Sequence, residues 1–184
     1  MSTMNTREYL EQILYEVSCA ALKTDPDAID DAAKDILSAK RIFIAGAGRT
    51  LLLMRSLAMN IMQIGLVSHV VGDVTTPGIG PDDLFIAASR SGKTKTTRLY
   101  AQCSKDQGAK VLVMTATPSS PLAQMADKVL FIPGGPEHMP DSIQWAGYPF
   151  EHALFMLNDT LIWRLCETIG ATEDTMESNH ANIE

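Results

Sequence analysis

The sequence predicts an α/β protein, a three-layer α/β/α sandwich with a five-stranded parallel sheet, extra N-terminal helices and a C-terminal helical tail. Three observations predict it. Short apolar runs at residues 41–45, 67–71, 84–88, 110–115 and 128–132 alternate with segments of helical composition, the pattern of βαβ units. Glycine- and hydroxyl-rich turns at 46–50 and 89–94 follow the first and third runs, where open α/β sheets bind ligands. The 184 residues suffice for one substantial domain and hardly two. The expected division is N-terminal helices at 1–39, a parallel-sheet core at 40–133, and C-terminal helices and tail at 149–184, all in one domain.

The elements follow in order. Residues 5–22 read as a helix whose apolar face carries Leu10, Ile13, Leu14, Val17 and Ala21. Thr24-Asp25-Pro26 stops it and starts a second helix running to Ser38, with Pro26 suited to a first turn. After the strand at 41–45, residues 49–64 form a helix apolar on nearly all sides, which predicts burial on more than one face. A strand at 67–71, a loop at 73–83 and a strand at 84–88 come next. A helix at 93–107, ended by Gly108, leads to the strand at 110–115. A short helix at 118–126 precedes the strand at 128–132. Residues 133–148 hold three Pro and three Gly and read as irregular. A long helix from 149 to about 167 and a short one at 172–179, capped at Thr172, complete the chain.

Composition narrows the function. Net charge is −7, which argues against general nucleic-acid binding. No apolar run reaches the length of a membrane span, and the first residues lack the apolar stretch of a signal peptide. Cys19, Cys103 and Cys166 are far apart, odd in number and without metal-ligand spacing, the pattern of reduced cysteines in a cytoplasmic protein. The expectation is no metal, no organic cofactor, no nucleic-acid partner and no membrane.

The chain is organised around Ser89-Arg90-Ser91-Gly92-Lys93-Thr94. A buried strand that breaks into such a turn and then a helix presents backbone N–H groups and the positive end of a helix dipole to one place. The hydroxyls of Ser89, Ser91 and Thr94 add hydrogen bonds, and Gly92 permits close approach. A Walker A loop is excluded, because Ala87 stands where its first glycine is needed. A dinucleotide fingerprint starting at Gly46-Ala47-Gly48 is excluded by Leu51. Arg49 and Thr50, after the first turn, are candidate ligand contacts. Glu151, in the first turn of the long helix, is a candidate general base. His180 in the tail is a candidate acid/base group, with His138 and His152 as rivals; His69 reads as structural.

Together these residues resemble the sugar isomerase (SIS) domain, a flavodoxin-like fold, and more narrowly the 6-phospho-3-hexuloisomerases. Gly46–Thr50 is similar to that family's GAGRS turn, Val70–Pro77 to its VVGExTTP segment, and Ser89–Thr94 to its SGSGET phosphate loop. Ser119–Ala123, Phe150-Glu151 and the terminal His180–Glu184 resemble its SPLA, FE and HANLE segments. The resemblance covers nearly the whole chain. It implies interconversion of D-arabino-3-hexulose 6-phosphate and D-fructose 6-phosphate without a cofactor. It implies Glu151 as base, His180 as a second acid/base group, phosphate at Ser89, Ser91 and Thr94, and a homotetramer with active sites near subunit boundaries. Two departures stand out: Arg90 replaces the loop's Gly, and Lys93 its Glu. Both favour an anion, and both leave open another phosphosugar aldose–ketose isomerase or a non-catalytic sugar-phosphate-binding protein.

Overall fold

The computed structural model describes residues 4–145 and 147–183. Glu184, the last residue of the tail motif, lies outside them. The helices are α1 (Thr6–Ala21), α2 (Pro26–Ser38), α3 (Gly48–Gln63), α4 (Lys95–Asp106), α5 (Tyr148–Ile169) and α6 (Glu173–Ser178). The strands are β1 (Ile42–Ala45), β2 (Ser68–Val70), β3 (Leu84–Ala88), β4 (Lys110–Thr115) and β5 (Lys128–Phe131). All pairings are parallel, in the order β2-β1-β3-β4-β5. This order bears out the flavodoxin-like sandwich.

The strands are apolar along their whole length because both faces are covered. Ile42, Ile44, Leu84, Ile86, Ala88, Leu112 and Met114 face one layer, with the buried sides of α2, α3 and α5. Phe43, Ala45, Phe85, Ala87, Val111 and Val113 alternate onto the other face, with Ala101 of α4 and Leu122. Each buried Val, Leu, Ile, Phe or Met among them contributes roughly 1.5–3 kcal/mol of hydrophobic stabilisation, and the alanines less. At the sheet edge opposite the glycine turns, Arg41 clamps the end of β3. Its Nε and Nη2 donate to the two carboxylate oxygens of Asp83 at 3.0 and 2.7 Å.

Three expectations need correction. Residues 118–126 form no α-helix, only a single 3₁₀ turn at Ala123–Met125, because the Leu122 N–H is tied to the Gly92 carbonyl of the neighbouring turn instead. The helix expected from Lys93 starts at Lys95, with Thr94 as its N-cap. The inner face of α1 is not the predicted one: Leu10 and Leu14 are exposed, whereas Glu16 and Ala20 are buried. The reason is tertiary. Helix α1 packs on α5, outside the sandwich, and its buried carboxylate meets the loop before α5.

Candidate active site

The site lies beyond the carboxyl ends of β1 and β3, where the strand order reverses. The chain leaves β1 through Gly46-Ala47 and enters α3 at Gly48, which has φ 57°. It leaves β3 through Ser89–Lys93 and enters α4. The loop after β5 returns above both, and α5 begins at Tyr148 behind Gly147, with φ 104°. A cavity of about 170 Å³ is lined by Ala47 and Thr50, by Ser89, Arg90, Ser91 and Thr94, and by Gly147 and Glu151. Three helix N-termini therefore meet at one cavity.

Those three starts differ from the others. Helices α1, α2 and α6 are capped by the side chains of Asn5, Asp25 and Thr172. Helices α3, α4 and α5, by contrast, have no side-chain cap. At α3 and α4 the first N–H groups are the orphans of a helix start; at α5 the Tyr148 N–H bonds to the Trp145 carbonyl and Pro149 has none, so α5 adds only its dipole to the positive potential where the three converge. Thr94 has the hydroxyl of a good cap, but its Oγ1 lies 3.2 Å from Ser89 Oγ instead.

Glu151 is held from two sides. Thr50 Oγ1 donates to Oε1 at 3.0 Å, and Arg49 Nε lies 3.1 Å from Oε2. The Arg49 guanidinium stacks on the Tyr148 ring, 3.8 Å from its centroid, and its Nη2 meets His152 Nε2 at 2.7 Å. Arg49 was expected to reach toward ligand; here it is spent on the carboxylate, the imidazole and the phenol ring. His152 carries its proton less readily than an ordinary imidazole. Burial is the main cause, the Arg49 charge adds to it, and Glu151 opposes both.

The other candidates sort by position. Ser89, Arg90, Ser91 and Thr94 line the cavity, whereas exposed Lys93 does not. Arg90 does not distort the loop. Among the described residues no non-glycine has positive φ, and the Arg90 carbonyl accepts from Thr115 Oγ1, Thr117 Oγ1 and the Ala116 N–H. Gly92 has φ 58°, and a Cβ there would overlap Ser120 Oγ and Cβ. It is needed for loop packing. His180 is not brought to Glu151 within one chain. Asn179 donates to the Gln63 carbonyl at 3.0 Å, so the tail lies at the far end of α3, about 20 Å from Thr50 at 1.5 Å per residue. His138 packs edge-on against Phe131. His69 is stacked beside Phe43 in the sheet, the structural role expected of it.

Residues 35–157 match the SIS domain family. This chain belongs to that family. The matched span of the SIS domain holds both glycine turns and Glu151, and leaves out Glu16 and His180. The chain is 38% identical over 174 residues to the 3-hexulose-6-phosphate isomerase of Mycobacterium gastri, covering 92% of this chain and 86% of that protein. It is 36% identical over 185 residues to the Bacillus subtilis protein of the same name, covering 98% and 100%. A Methanococcus jannaschii protein, whose crystal structure infers the function of 3-hexulose-6-phosphate isomerase, superposes with TM-score 0.80 and 25% identity over 96% of this chain and 97% of its own. The resemblance to the 6-phospho-3-hexuloisomerases is thereby borne out.

Sequence reasoning missed Gln144, Tyr148 and Glu16 as neighbours of the site, and read His152 only as a rival acid/base group. Glu16 lies off the apolar register that the sequence marks on α1, so no local signal pointed to it. Among the described residues no helix is long and apolar enough to cross a membrane.

Proposed function

We propose that this chain interconverts D-arabino-3-hexulose 6-phosphate and D-fructose 6-phosphate, with Glu151 as the base. One observation carries the reading: three uncapped helix starts and four hydroxyls converge on a cavity walled by a single carboxylate. That arrangement suits an anionic group bound beside a proton-transferring one. The names of the curated relatives supply the substrate.

The phosphate is placed at Ser89, Ser91, Thr94 and the first N–H groups of α4, with Arg90 adding charge. Glu151 takes the proton from C2 of the 3-ketose. The resulting cis-enediolate carries charge on O3, which the positive helix ends stabilise. The O2 hydroxyl gives up its proton as O3 gains one, and Glu151 returns its own to C3, leaving the ketone at C2. Thr50 and Arg49 keep the carboxylate aimed at one face. Remote phosphate binding positions the reacting carbons.

The second acid/base role is assigned to His180 of a neighbouring copy, because the tail of the same chain lies at the wrong end of α3. A homotetramer of this 1–184 domain would also cover Leu52, Met59 and Met62 on α3 and Leu10 and Leu14 on α1, which are exposed in one chain.

The test is fructose 6-phosphate in D₂O with the full chain, followed by proton NMR. Deuterium at C3 together with the 3-ketose is the expected result. Exchange at C1 with an aldose product would replace this substrate assignment. Binding without exchange would remove the catalytic one. Glu151→Gln should lose exchange by about 10²–10⁴-fold while retaining sugar-phosphate binding.

A further inference from the structure

We propose that Glu16, Gln144 and His152 form a positioning relay that holds Arg49 against Glu151, with His152 fixed as the neutral tautomer protonated on Nδ1. The proposal deepens the isomerase reading and depends on it only for the reaction that Glu151 serves.

The direction of every hydrogen bond in this chain is forced. Arginine has donors only, so His152 Nε2, 2.7 Å from Arg49 Nη2, must accept and carries no proton. The neutral ring then has its proton on Nδ1, which donates to Gln144 Oε1 at 2.7 Å. With that oxygen committed, Gln144 Nε2 faces the other way and donates to Glu16 Oε2 at 2.9 Å. Flipping the amide would set an oxygen against a carboxylate and an NH₂ against an N–H. The relay is thus bounded by a group that can only donate and a group that can only accept, and one proton arrangement fits.

Glu16 is built to be that second end. It is 2% exposed and also accepts from Ser142 Oγ at 2.6 Å, the Ile143 N–H at 3.0 Å and Gln12 Nε2 at 3.0 Å. Burial alone would push its carboxyl up; the four hydrogen bonds outweigh burial and hold it below the usual range. It therefore stays ionised and fixes residues 142–144, the segment that carries Gln144 to His152.

The ring faces Arg49 from α3, Glu151 and the Tyr148 ring from α5, and Gln144 from the loop. The apolar side chains of Ile13, Leu14 and Val17 line the groove from α1, with Glu16 one hydrogen bond further. A proton on Nε2 would put an N–H against a guanidinium. Arg49 would lose its seat, and Glu151 its partner.

The experiment labels the histidines of the full chain with ¹⁵N and follows ring-nitrogen shifts with pH, in the native protein and in Gln144→Leu. Native His152 should be neutral with the proton on Nδ1 at pH 7. Gln144→Leu removes the bond that holds the ring in place, so the ring should turn from Arg49 and revert toward the Nε2-protonated form that a free neutral imidazole side chain prefers. In that variant kcat should fall about tenfold with KM within about twofold, the pattern of a displaced catalytic group. Glu16→Gln, which conserves volume, should shift the tautomer in the same direction should Gln144→Leu fail to fold. An Nε2-protonated or charged ring at pH 7 in the native protein would overturn the relay, as would an unchanged tautomer in the variants. The tautomer is read without substrate. A chain inactive on hexulose phosphates but with the Nδ1 proton in place would overturn the reaction and keep the relay.

Discussion

Gly92→Ala tests why the Ser89–Thr94 turn has its shape. The position has φ 58°, so a side chain pays about 1–2 kcal/mol for the left-handed backbone alone. The added methyl would also overlap Ser120 Oγ and Cβ and stand 3.5 Å from Leu122 Cβ. Ser120 is 3% exposed, and its Oγ accepts from the Ala123 N–H at 3.3 Å, so it cannot swing away freely. Overpacking of this kind costs about 1–3 kcal/mol. The sum, about 3 kcal/mol, is a large share of a typical stability and should lower Tm by about 6–12 °C. Ser120→Gly removes both colliding atoms. The double variant should therefore recover the steric part, about 1–2 kcal/mol, and keep the backbone part. The assay is urea unfolding of the four proteins with a common m-value, read as a double-mutant cycle. Additive effects, with no coupling between 92 and 120, would refute the packing argument and leave the backbone as the whole cause.

Three further outcomes follow from the geometry. Co-expressed Glu151→Gln and His180→Ala chains should regain activity that neither has alone, measured as isomerase turnover of the mixed oligomer; persistent inactivity would place His180 outside its neighbour's site. Gly134→Ala should cost on the order of 10²-fold in kcat/KM, because its methyl would lie 2.5 Å from Phe150 Cα and 2.9 Å from the Pro149 carbonyl carbon, forcing the first turn of α5 and Glu151 to move. Arg41→Leu should lower the urea midpoint at pH 7. The hydrogen bond from Arg41 is the main cause holding the Asp83 carboxyl below the usual range, against burial and with help from the Gly80 N–H. That stabilisation is full above about pH 3.9, the unfolded value, and fades as pH falls through the lowered folded one. Midpoints of the two proteins should converge in acid, and a constant gap down to pH 2 would count against the clamp.

Much of the fold was legible because its signals are local. Apolar runs ended by Gly46 and by Ser89 marked two strand ends, and Asp25-Pro26 and Thr172 marked helix starts that the structure keeps. The short helix at 118–126 failed because Leu122 N bonds to the Gly92 carbonyl, a partner thirty residues away that no local pattern announces. The face of α1 failed for a related reason. Periodicity counts apolar residues, and here the buried position is a glutamate, three of whose four donors come from residues 142–144. In the site, Glu151, Thr50 and the 89–94 hydroxyls were readable from their places at helix starts and strand ends. Arg49 was placed in the right neighbourhood, but its contacts with Glu151, His152 and Tyr148 were not foreseen. Its contacts depend on how α5 crosses α3, and Tyr148 and His152 share only that crossing.

The uncapped helix starts bear on how the protein must be handled. A helix start without a side-chain cap leaves donors that any small oxyanion can satisfy, and two such starts, those of α3 and α4, share one cavity. Inorganic phosphate or sulfate carried through purification would occupy the place proposed above for the sugar's phosphoryl group and act as a competitive inhibitor. A preparation washed free of such ions would show the higher apparent affinity and the lower melting temperature. Measured turnover would then report the salt in the tube as much as the chain, and phosphate-free buffer is the condition in which its rate has meaning.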